Sequence, residues 1–394
     1  MARRVGGAAQ PWIWLAGLGV SVILVSGVPA PESPTLRSEP DRSLRSAVAS
    51  ELTDRARSTG VAATADRIRV TVTRGDADWG FGAGVVTAPA RRGAYPYGWL
   101  FLSRRVGDGW RVALDGDPEF AELAGTAPVL SYAERELFTA RRGEAGGDTR
   151  TGMRLPYAVG QAWTYTGGPH PMGGSTLSSI DLAGGDLKVR AARAGTAYTM
   201  CKGWIRVVHR NGYATDYYHL WRQVKVDGTE VSAGALLGAA GTDVTCGGSA
   251  TGRHVHFSLR RDGKYVPITG HGLGGWVIYQ GDRPYRGYAR HGSARAEVGD
   301  VLTNHGALRR GEGIVDTDGG GTLHRRSGPG TGHEVVGALP DGVTVTVVCS
   351  ANGTEHEGRY GASALWNKLD DGSWVSDAYL WTGVDGPLRG WCEP

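Results

Sequence analysis

The sequence is short of lysine and of concentrated positive charge, and this shortage excludes one class of partner. Lysine occurs only at positions 188, 202, 225, 264 and 368, and the formal net charge of the 394 residues is only +4. Proteins that bind nucleic acid usually carry a strongly basic face. We therefore expect no nucleic-acid partner.

Long apolar runs are scarce as well. Only the stretch from Trp12 to Val28 is strongly apolar; two arginines precede it and the small residue Ala30 follows it. This layout is that of a secretory signal peptide, which we assign to residues 1–30. We therefore expect a secreted, extracellular protein. Pro31 disfavours cleavage after Ala30. We expect the protein to associate with the membrane only if the signal peptide stays uncleaved.

Cysteine is limited to four residues, and short Cys-x-x-Cys spacing is absent. Zinc sites built on cysteine need that spacing, so we do not expect one here. An even number of cysteines in an exported protein indicates disulfides instead. Three connectivities are possible for four cysteines. We expect Cys201 with Cys246 and Cys349 with Cys392, because this pairing keeps each bond inside one candidate domain.

Helical periodicity is restricted to the amino-terminal third of the chain. Leu44, Val48, Leu52 and Ala56 recur at helical spacing, and strand-like runs and one short helical segment follow up to Leu123. Residues 31–150 therefore read as a small α+β region without cysteine. The polar stretch Arg141–Met153 is typical of an exposed linker that a protease can cut.

Glycine, in contrast, is abundant. The chain holds 64 glycines, about twice the usual frequency of roughly 7%. Between residues 155 and 288 they separate short strand-like runs, and Asn211-Gly212 between two such runs predicts a tight β-hairpin. We expect an antiparallel β-sheet with long loops in this region.

The segment around His254-Val255-His256-Phe257 carries the first chemical signal. Alternation along a strand places both histidines on one face and both apolar side chains on the other. That geometry suits a metal site on the face opposite a hydrophobic core. Further candidate ligands lie upstream, at His170, Asp181 and His219.

Together these motifs resemble a known family. Gly167-Gly168-Pro169-His170, Ser178–Leu182, Asp216–Leu220 and Arg253–Phe257 occur in the order and at the spacing of the lysostaphin-type, LasA-like and β-lytic zinc endopeptidases, which cut peptide cross-links in bacterial cell walls. The resemblance covers roughly residues 155–290. It implies an antiparallel β-sheet metallopeptidase domain at residues 151–300, one zinc ion per chain and peptidoglycan peptides as the substrate.

The resemblance also implies residue roles. The implied zinc ligands are His170, Asp181 and His256, which leave a fourth position for water. His219 and His254 match the positions beside that water, where one takes its proton and the other stabilises charge on the attacked peptide oxygen. The sequence leaves open which does which. Tyr217 is expected on the same strand face as His219, either as an oxyanion donor or as a wall of the cleft.

The carboxyl-terminal segment resembles a second family. Leu323–Gly330, Val335–Leu339 and the alternating run Val343–Val347 resemble the bacterial SH3-like wall-binding domains, which are small β-barrels. We assign this domain to residues 313–394. His324 and Arg325 depart from the usual Asn and Val of that family. Four aromatic residues either line a ligand groove or form the core: Trp366, Trp374, Tyr379 and Trp381.

We thus predict a mainly β, monomeric, cell-wall-associated zinc endopeptidase. Residues 31–150 are interpreted as a pro-region that helps folding or covers the active site until export; the alternative is a permanent structural or wall-contacting module. Two other functions stay open for the whole chain. One is an inactive wall-binding or adaptor protein on the same fold, and the other is a zinc protease of secreted proteins.

Overall fold

The described part of the chain begins with an amphipathic helix, α1 (Glu39–Ser58). The structure is a computed structural model that describes residues 39–61, 63–140 and 149–393. The predicted signal peptide, residues 1–30, lies outside this part. Among the described helices, none combines the length and the apolar character that crossing a bilayer requires.

The N-terminal region, residues 39–140, is a four-stranded antiparallel sheet with helices on both faces. Its strands pair in sequence order, β1-β2-β3-β4. The elements are α1 (Glu39–Ser58), β1 (Ile68–Gly75), β2 (Trp79–Val86), β3 (Tyr97–Val106), β4 (Gly109–Leu114), α2 (Pro118–Ala124) and α3 (Tyr132–Thr139). The α+β character expected from the sequence is present in this region.

Helix α1 lies close against β2 because β2 carries glycine where the helix crosses it. The helix buries its predicted apolar stripe, Leu44, Val48, Leu52 and Ala56. A Cβ atom on Gly84 would lie 2.7 Å from Leu52 Cδ1, and one on Gly80 would lie 2.5 Å from Leu44 Cδ2. A larger residue at either position would therefore force the leucine side chain that faces it to shift.

The central region, residues 149–305, is built on a nine-stranded antiparallel sheet. Its order is β13-β9-β10-β11-β15-β7-β6-β21, and β16 pairs with the end of β15. The strands are β6 (Ala162–His170), β7 (Ser179–Ala183), β9 (Gly195–Cys201), β10 (Trp204–Val208), β11 (Tyr213–Tyr218), β13 (Asp227–Val231), β15 (Val255–Arg261), β16 (Lys264–Tyr265) and β21 (Val301–Thr303). The predicted mainly β, antiparallel architecture is confirmed.

Two smaller sheets complete the central region. One has the order β12-β14-β8 and the other β20-β19-β18-β17-β5. Their strands are β5 (Arg150–Met153), β8 (Lys188–Arg190), β12 (Leu220–Trp221), β14 (Leu236–Ala240), β17 (Gly272–Leu273), β18 (Trp276–Gln280), β19 (Gly287–His291) and β20 (Ala294–Glu297).

The expectation of an exposed linker over Arg141–Met153 is wrong for its last four residues. Arg150–Met153 is strand β5, which pairs with β17. The Thr151 hydroxyl donates to the Gly272 carbonyl at 2.6 Å, and Met153 is buried in the core. Residues 141–148 lie outside the described part of the chain.

The hairpin and the disulfides predicted from the sequence are both present. β10 and β11 pair up to Val208 and Ala214, and Gly212 in the connection has a φ of +88°. The cysteines form the bonds Cys201–Cys246 and Cys349–Cys392. The first bond ties the β9–β10 turn to the loop between β14 and β15.

The N-terminal and central regions share one hydrophobic core. Phe81 and Leu102, on the sheet face away from α1, pack with Tyr198, Trp204 and Tyr218 of the central sheet. Strand β2 is consequently buried along its whole length. The N-terminal sheet is thus an inner layer between α1 and the central sheet.

A buried charge cluster crosses the same interface. Arg206 on β10 and Arg260 on β15 have fully buried side chains. Arg206 Nε donates to Asp216 at 2.8 Å, and both arginines reach Asp115 of the N-terminal region at 3.2 Å. Burial opposes ionisation of Asp216, but Arg206 outweighs it and lowers the pKa of that carboxyl. Without Asp115, one carboxylate would face two buried guanidinium groups, which is costly.

The C-terminal region, residues 306–393, is a seven-stranded sheet. Its order is β24-β23-β27-β26-β25-β22-β28. The strands are β22 (Glu312–Val315), β23 (Thr322–Arg326), β24 (Val335–Pro340), β25 (Thr344–Gly358), β26 (Gly361–Leu369), β27 (Trp374–Ser376) and β28 (Leu380–Trp381). Trp381 packs on Val277 of β18, so this aromatic residue joins the region to the central one.

Candidate metal centre

Three adjacent strands bring the predicted metal ligands together. Asp181 lies on β7, between β15 with His256 and β6 with His170 at its end. His256 is the direct cross-strand partner of Asp181. Their neighbours Val255 and Phe257 point into the hydrophobic core, as alternation requires.

A β-bulge aims His170 at the other two ligands. Gly167 pairs with Asp181, whereas His170 pairs with Ser179, so β6 has one more residue than β7 between these pairs. Bulges of this kind redirect a side chain beside a functional site. A Cβ on Gly167 would lie 2.7 Å from Asp181 Oδ2, so the strand passes very close to the carboxylate.

The three candidate ligand atoms form a small triangle. His170 Nε2 lies 3.0 Å from His256 Nδ1 and 3.3 Å from Asp181 Oδ1, and His256 Nδ1 lies 3.1 Å from Asp181 Oδ1. In a tetrahedral zinc site with bonds of about 2.0–2.1 Å, ligand atoms are separated by roughly 3.3 Å. The spacing therefore suits zinc, and these residues are the one group that could hold a metal among the described residues.

The ring orientations give a second test of that fit. His170 Nδ1–H donates to the Gly168 carbonyl at 2.6 Å, which leaves a lone pair on Nε2 facing the Asp181 carboxylate. A neutral His170 ring would thus bring two acceptor atoms together, an arrangement that a metal cation stabilises. A backbone carbonyl that fixes the tautomer of a ligating histidine is a usual partner in metal sites.

His219 and His254 lie beside the triangle, and each ring is held through the same nitrogen, Nδ1. His219 Nδ1–H donates to the Asp243 carbonyl at 2.9 Å, and His254 Nδ1–H donates to the Gly252 carbonyl at 2.8 Å. The two rings are 4.7 Å apart, and His254 Nε2 is 3.7 Å from Asp181 Oδ1. His219 Nε2 is buried and has no hydrogen-bond partner within the described chain.

Burial sets the protonation state of two of these rings. It lowers the pKa of His256 to about 4. Burial, together with the neighbouring His254 and His256, lowers the pKa of His219 to about 3. Both rings are therefore neutral at pH 7, so no proton competes for their lone pairs.

The expectation for Tyr217 is wrong. Tyr217 is buried in the core with Phe257, and its hydroxyl accepts from the Ala192 backbone N–H at 2.7 Å. His219 has a φ of +69°, so extended-strand alternation does not continue from Tyr217 to His219. The tyrosine ring that contacts His219 is that of Tyr218, at 4.3 Å between centroids.

Two tyrosines that the sequence analysis did not identify lie at the centre. Tyr95, from the N-terminal region, stacks on His256 at 4.5 Å between ring centroids, and Tyr285 stacks on His170 at 4.1 Å. Their hydroxyl groups form a short hydrogen bond with each other. No local pattern marks these tyrosines, because each reaches the centre from a loop distant in sequence.

The loop Gly241–Gly252 links these features. Its Asp243 carbonyl holds His219, its Cys246 is tied to Cys201, and its Gly248 N–H donates to the Pro89 carbonyl at 3.2 Å. The Ala88 N–H donates in turn to the Cys246 carbonyl at 2.9 Å. The segment between β2 and β3 is thereby fixed along the centre, with Tyr95 over His256.

Comparisons with known proteins agree on one family. The sequence profile of Peptidase family M23 matches residues 176–268, which include four of the five predicted site residues but not His170. Protease LasA of Pseudomonas aeruginosa strain UCBPP-PA14 is 34% identical over 145 residues, which are 34% of this chain and 35% of the relative. The chain thus spans about a third of the length of this relative.

This chain covers a larger share of the length of two further relatives. A beta-lytic metalloendopeptidase of Lysobacter enzymogenes is 31% identical over 140 residues, which are 32% of this chain and 78% of the relative. The solved structure of pseudoalterin, an M23 metalloprotease from the deep sea, is 30% identical with a TM-score of 0.36. That match covers 38% of this chain and 97% of pseudoalterin.

The geometry predicts different results for the two histidines on one strand face. His256→Ala removes one corner of the triangle, so bound metal should fall far below about one zinc per chain. His254→Ala leaves the triangle whole and should retain the metal. Zinc per chain, measured by atomic spectroscopy after dialysis of both purified variants, tests this. Loss of zinc from His254→Ala with retention in His256→Ala would reverse the assignment.

Proposed function

Because the chain belongs to peptidase family M23, we propose that it is a secreted, zinc-dependent endopeptidase that hydrolyses peptide bonds in peptidoglycan. The observation that carries the proposal is the triangle of His170, Asp181 and His256 with two further histidines beside it. An inactive adaptor on this fold would not need to retain all five side chains. The relatives named beta-lytic metalloendopeptidase and Protease LasA support the peptidase activity.

The roles of the side chains follow from their positions. When bound, zinc would polarise the peptide carbonyl and lower the pKa of a water molecule to about 7. The rings of His219 and His254 lie side by side and both are held through Nδ1, so the Nε2 of one can take the proton and that of the other can stabilise the developing charge. Asp181, 3.7 Å from His254 Nε2, would stabilise that ring when it is protonated.

We assign the N-terminal region the role of a pro-region that supports folding and covers the site. Asp115 balances two buried arginines of the central sheet, which supports the folding role. Tyr95 lies on His256, and the triangle and His219 are all buried in the full chain, which supports the covering role. The segment between β2 and β3 thus restricts the approach of a peptide backbone to the triangle, while a cavity beside Asp181 and His254 stays open.

We assign the C-terminal region the role of a wall-binding domain. A cavity of about 280 Å³ opens in it, lined among others by His324, His356, Trp366 and Tyr379. Trp366 is buried and its indole N–H donates to the Thr354 carbonyl, so it is mainly a core residue. His356 and Tyr379 are half-buried and their rings are 5.4 Å apart, which gives the cavity an aromatic wall.

The proposed reaction predicts a specific loss of turnover. The zinc-loaded protein should release new amino termini from purified peptidoglycan, and a chelator should stop the release reversibly. His254→Ala should keep its zinc but lose roughly 10²–10⁴ in rate, the range for a positioned acid–base group. Mass spectrometry of the new termini is the measurement. Unchanged release from metal-free protein, or cleavage only of an unfolded secreted protein, would contradict the assignment.

The covering role predicts that Tyr95 restrains activity. Tyr95→Ala removes an aromatic contact of roughly 1 kcal/mol. The fraction of uncut molecules in which the metal centre is uncovered should therefore rise about fivefold, and the rate of hydrolysis with it. Cutting within residues 141–148 and removing the N-terminal fragment should raise the rate further. Tyr132→Ala, an exposed tyrosine of the same region, is the control. Equal rates before and after cutting, or a lower rate once the fragment is removed, would favour a permanent structural module.

The wall-binding role predicts that substitutions in the cavity weaken attachment to the wall without slowing peptide hydrolysis. The double variant His324→Ala, His356→Ala should sediment less with insoluble walls, yet hydrolyse a short soluble peptide at the original rate. His333→Ala, at an exposed histidine of this region that does not line the cavity, is the control. Undiminished sedimentation of the double variant would remove the cavity from wall recognition.

A further inference from the structure

A cavity of about 470 Å³ lies against the metal centre and is strongly basic. Asp181 and His254 form part of its wall, and the remaining charged lining residues are Arg92, Arg283 and Arg286. Asp181 is the sole carboxylate lining it in the described chain, and it belongs to the ligand triangle. The outer wall therefore offers guanidinium groups without acidic partners.

Two of these arginines stand on a loop whose backbone is fixed beside a metal ligand. In the loop Gly281–Arg286, the Tyr285 N–H donates to the Pro169 carbonyl at 3.1 Å, and the Gly168 N–H donates to the Tyr285 carbonyl at 3.2 Å. A Cβ on Gly168 would lie 2.6 Å from the Arg286 carbonyl carbon, so loop and strand are in close contact.

The loop conformation is strained at the residue between the arginines. Tyr285 has a φ of +69°, a region that residues other than glycine rarely adopt. Its ring is stacked on His170. Strain that the surroundings hold in place often marks a functional site. Arg283 and Arg286, which precede and follow Tyr285 in this loop, both line the cavity.

Neither arginine has an ion-pair partner among the described residues, and both side chains are exposed. Neighbouring arginines differ: Arg290 pairs with Asp318 at 3.8 Å and Arg295 with Glu297 at 2.6 Å. Arg283 and Arg286 therefore keep their donors available for a ligand in the cavity.

We propose that Arg283 and Arg286 form an anion-binding subsite that selects peptides with a carboxylate close to the bond to be cut. This inference rests on the proposed peptidase function and specifies its substrate class. Guanidinium groups bind carboxylates with paired, charge-assisted hydrogen bonds, which neutral side chains cannot replace. Arg92 is not part of the subsite, because it belongs to the segment that covers the centre.

The test compares two peptides that differ by one charge. Isothermal titration of the zinc-loaded full chain with acetyl-Gly-Glu-Gly-amide and acetyl-Gly-Gln-Gly-amide gives both Kd values without requiring hydrolysis. The acidic peptide should bind about tenfold more tightly, as expected for one charge-assisted contact. Arg283→Ala with Arg286→Ala should remove this preference, and higher salt should reduce it.

Arg309→Ala is the matched control, because Arg309 is an exposed arginine away from the cavity. It should keep the tenfold preference. Equal Kd values for the two peptides, no binding of either peptide, or an unchanged preference in the double variant would each overturn the subsite. A protein that prefers the acidic peptide but leaves peptidoglycan intact would instead contradict the peptidase function alone.

Discussion

The whole centre depends on the register in which β15 pairs with β7. His256 stands opposite Asp181, and the alternate positions, Val255 with Leu182 and Phe257 with Ile180, fill the core. A slip of β15 by one residue would turn His256 into the core and apolar residues of that strand toward the metal. The hydrophobic effect that fixes the register therefore also fixes the coordination geometry, so folding and metal binding share one determinant.

The remaining parts of the centre are positioned by irregular segments of the backbone rather than by regular strand pairing. A bulge turns His170, a disulfide-bonded loop holds His219, and a strained loop places Tyr285 on His170. These supports use backbone carbonyls and aromatic stacking rather than further charges. The rings are consequently oriented without additional groups that would compete with them for a cation.

Sequence patterns predict the parts that follow from local geometry. Strand alternation places His254 and His256 on one face, Asn211-Gly212 predicts the hairpin, and the cysteine spacing predicts the bonds that are present. His170 and Asp181 are distant in sequence from these histidines, and only the family resemblance indicated that all of them lie together. Tyr217 was misassigned because the pattern assumes extended backbone up to His219, where φ is positive. Tyr95 and Tyr285 could not be found, since loop packing alone brings them together.

The layered position of the N-terminal sheet has a consequence for the order of events in synthesis. Its strands pair with their neighbours in sequence, so their contacts are local and can form early. A chain is made from its amino terminus, so this sheet, with Asp115 at its edge, emerges before Arg206 and Arg260. The surface on which the central sheet packs can thus exist before that sheet does, and the segment that carries Tyr95 is present from the first moment at which a metal ion could bind.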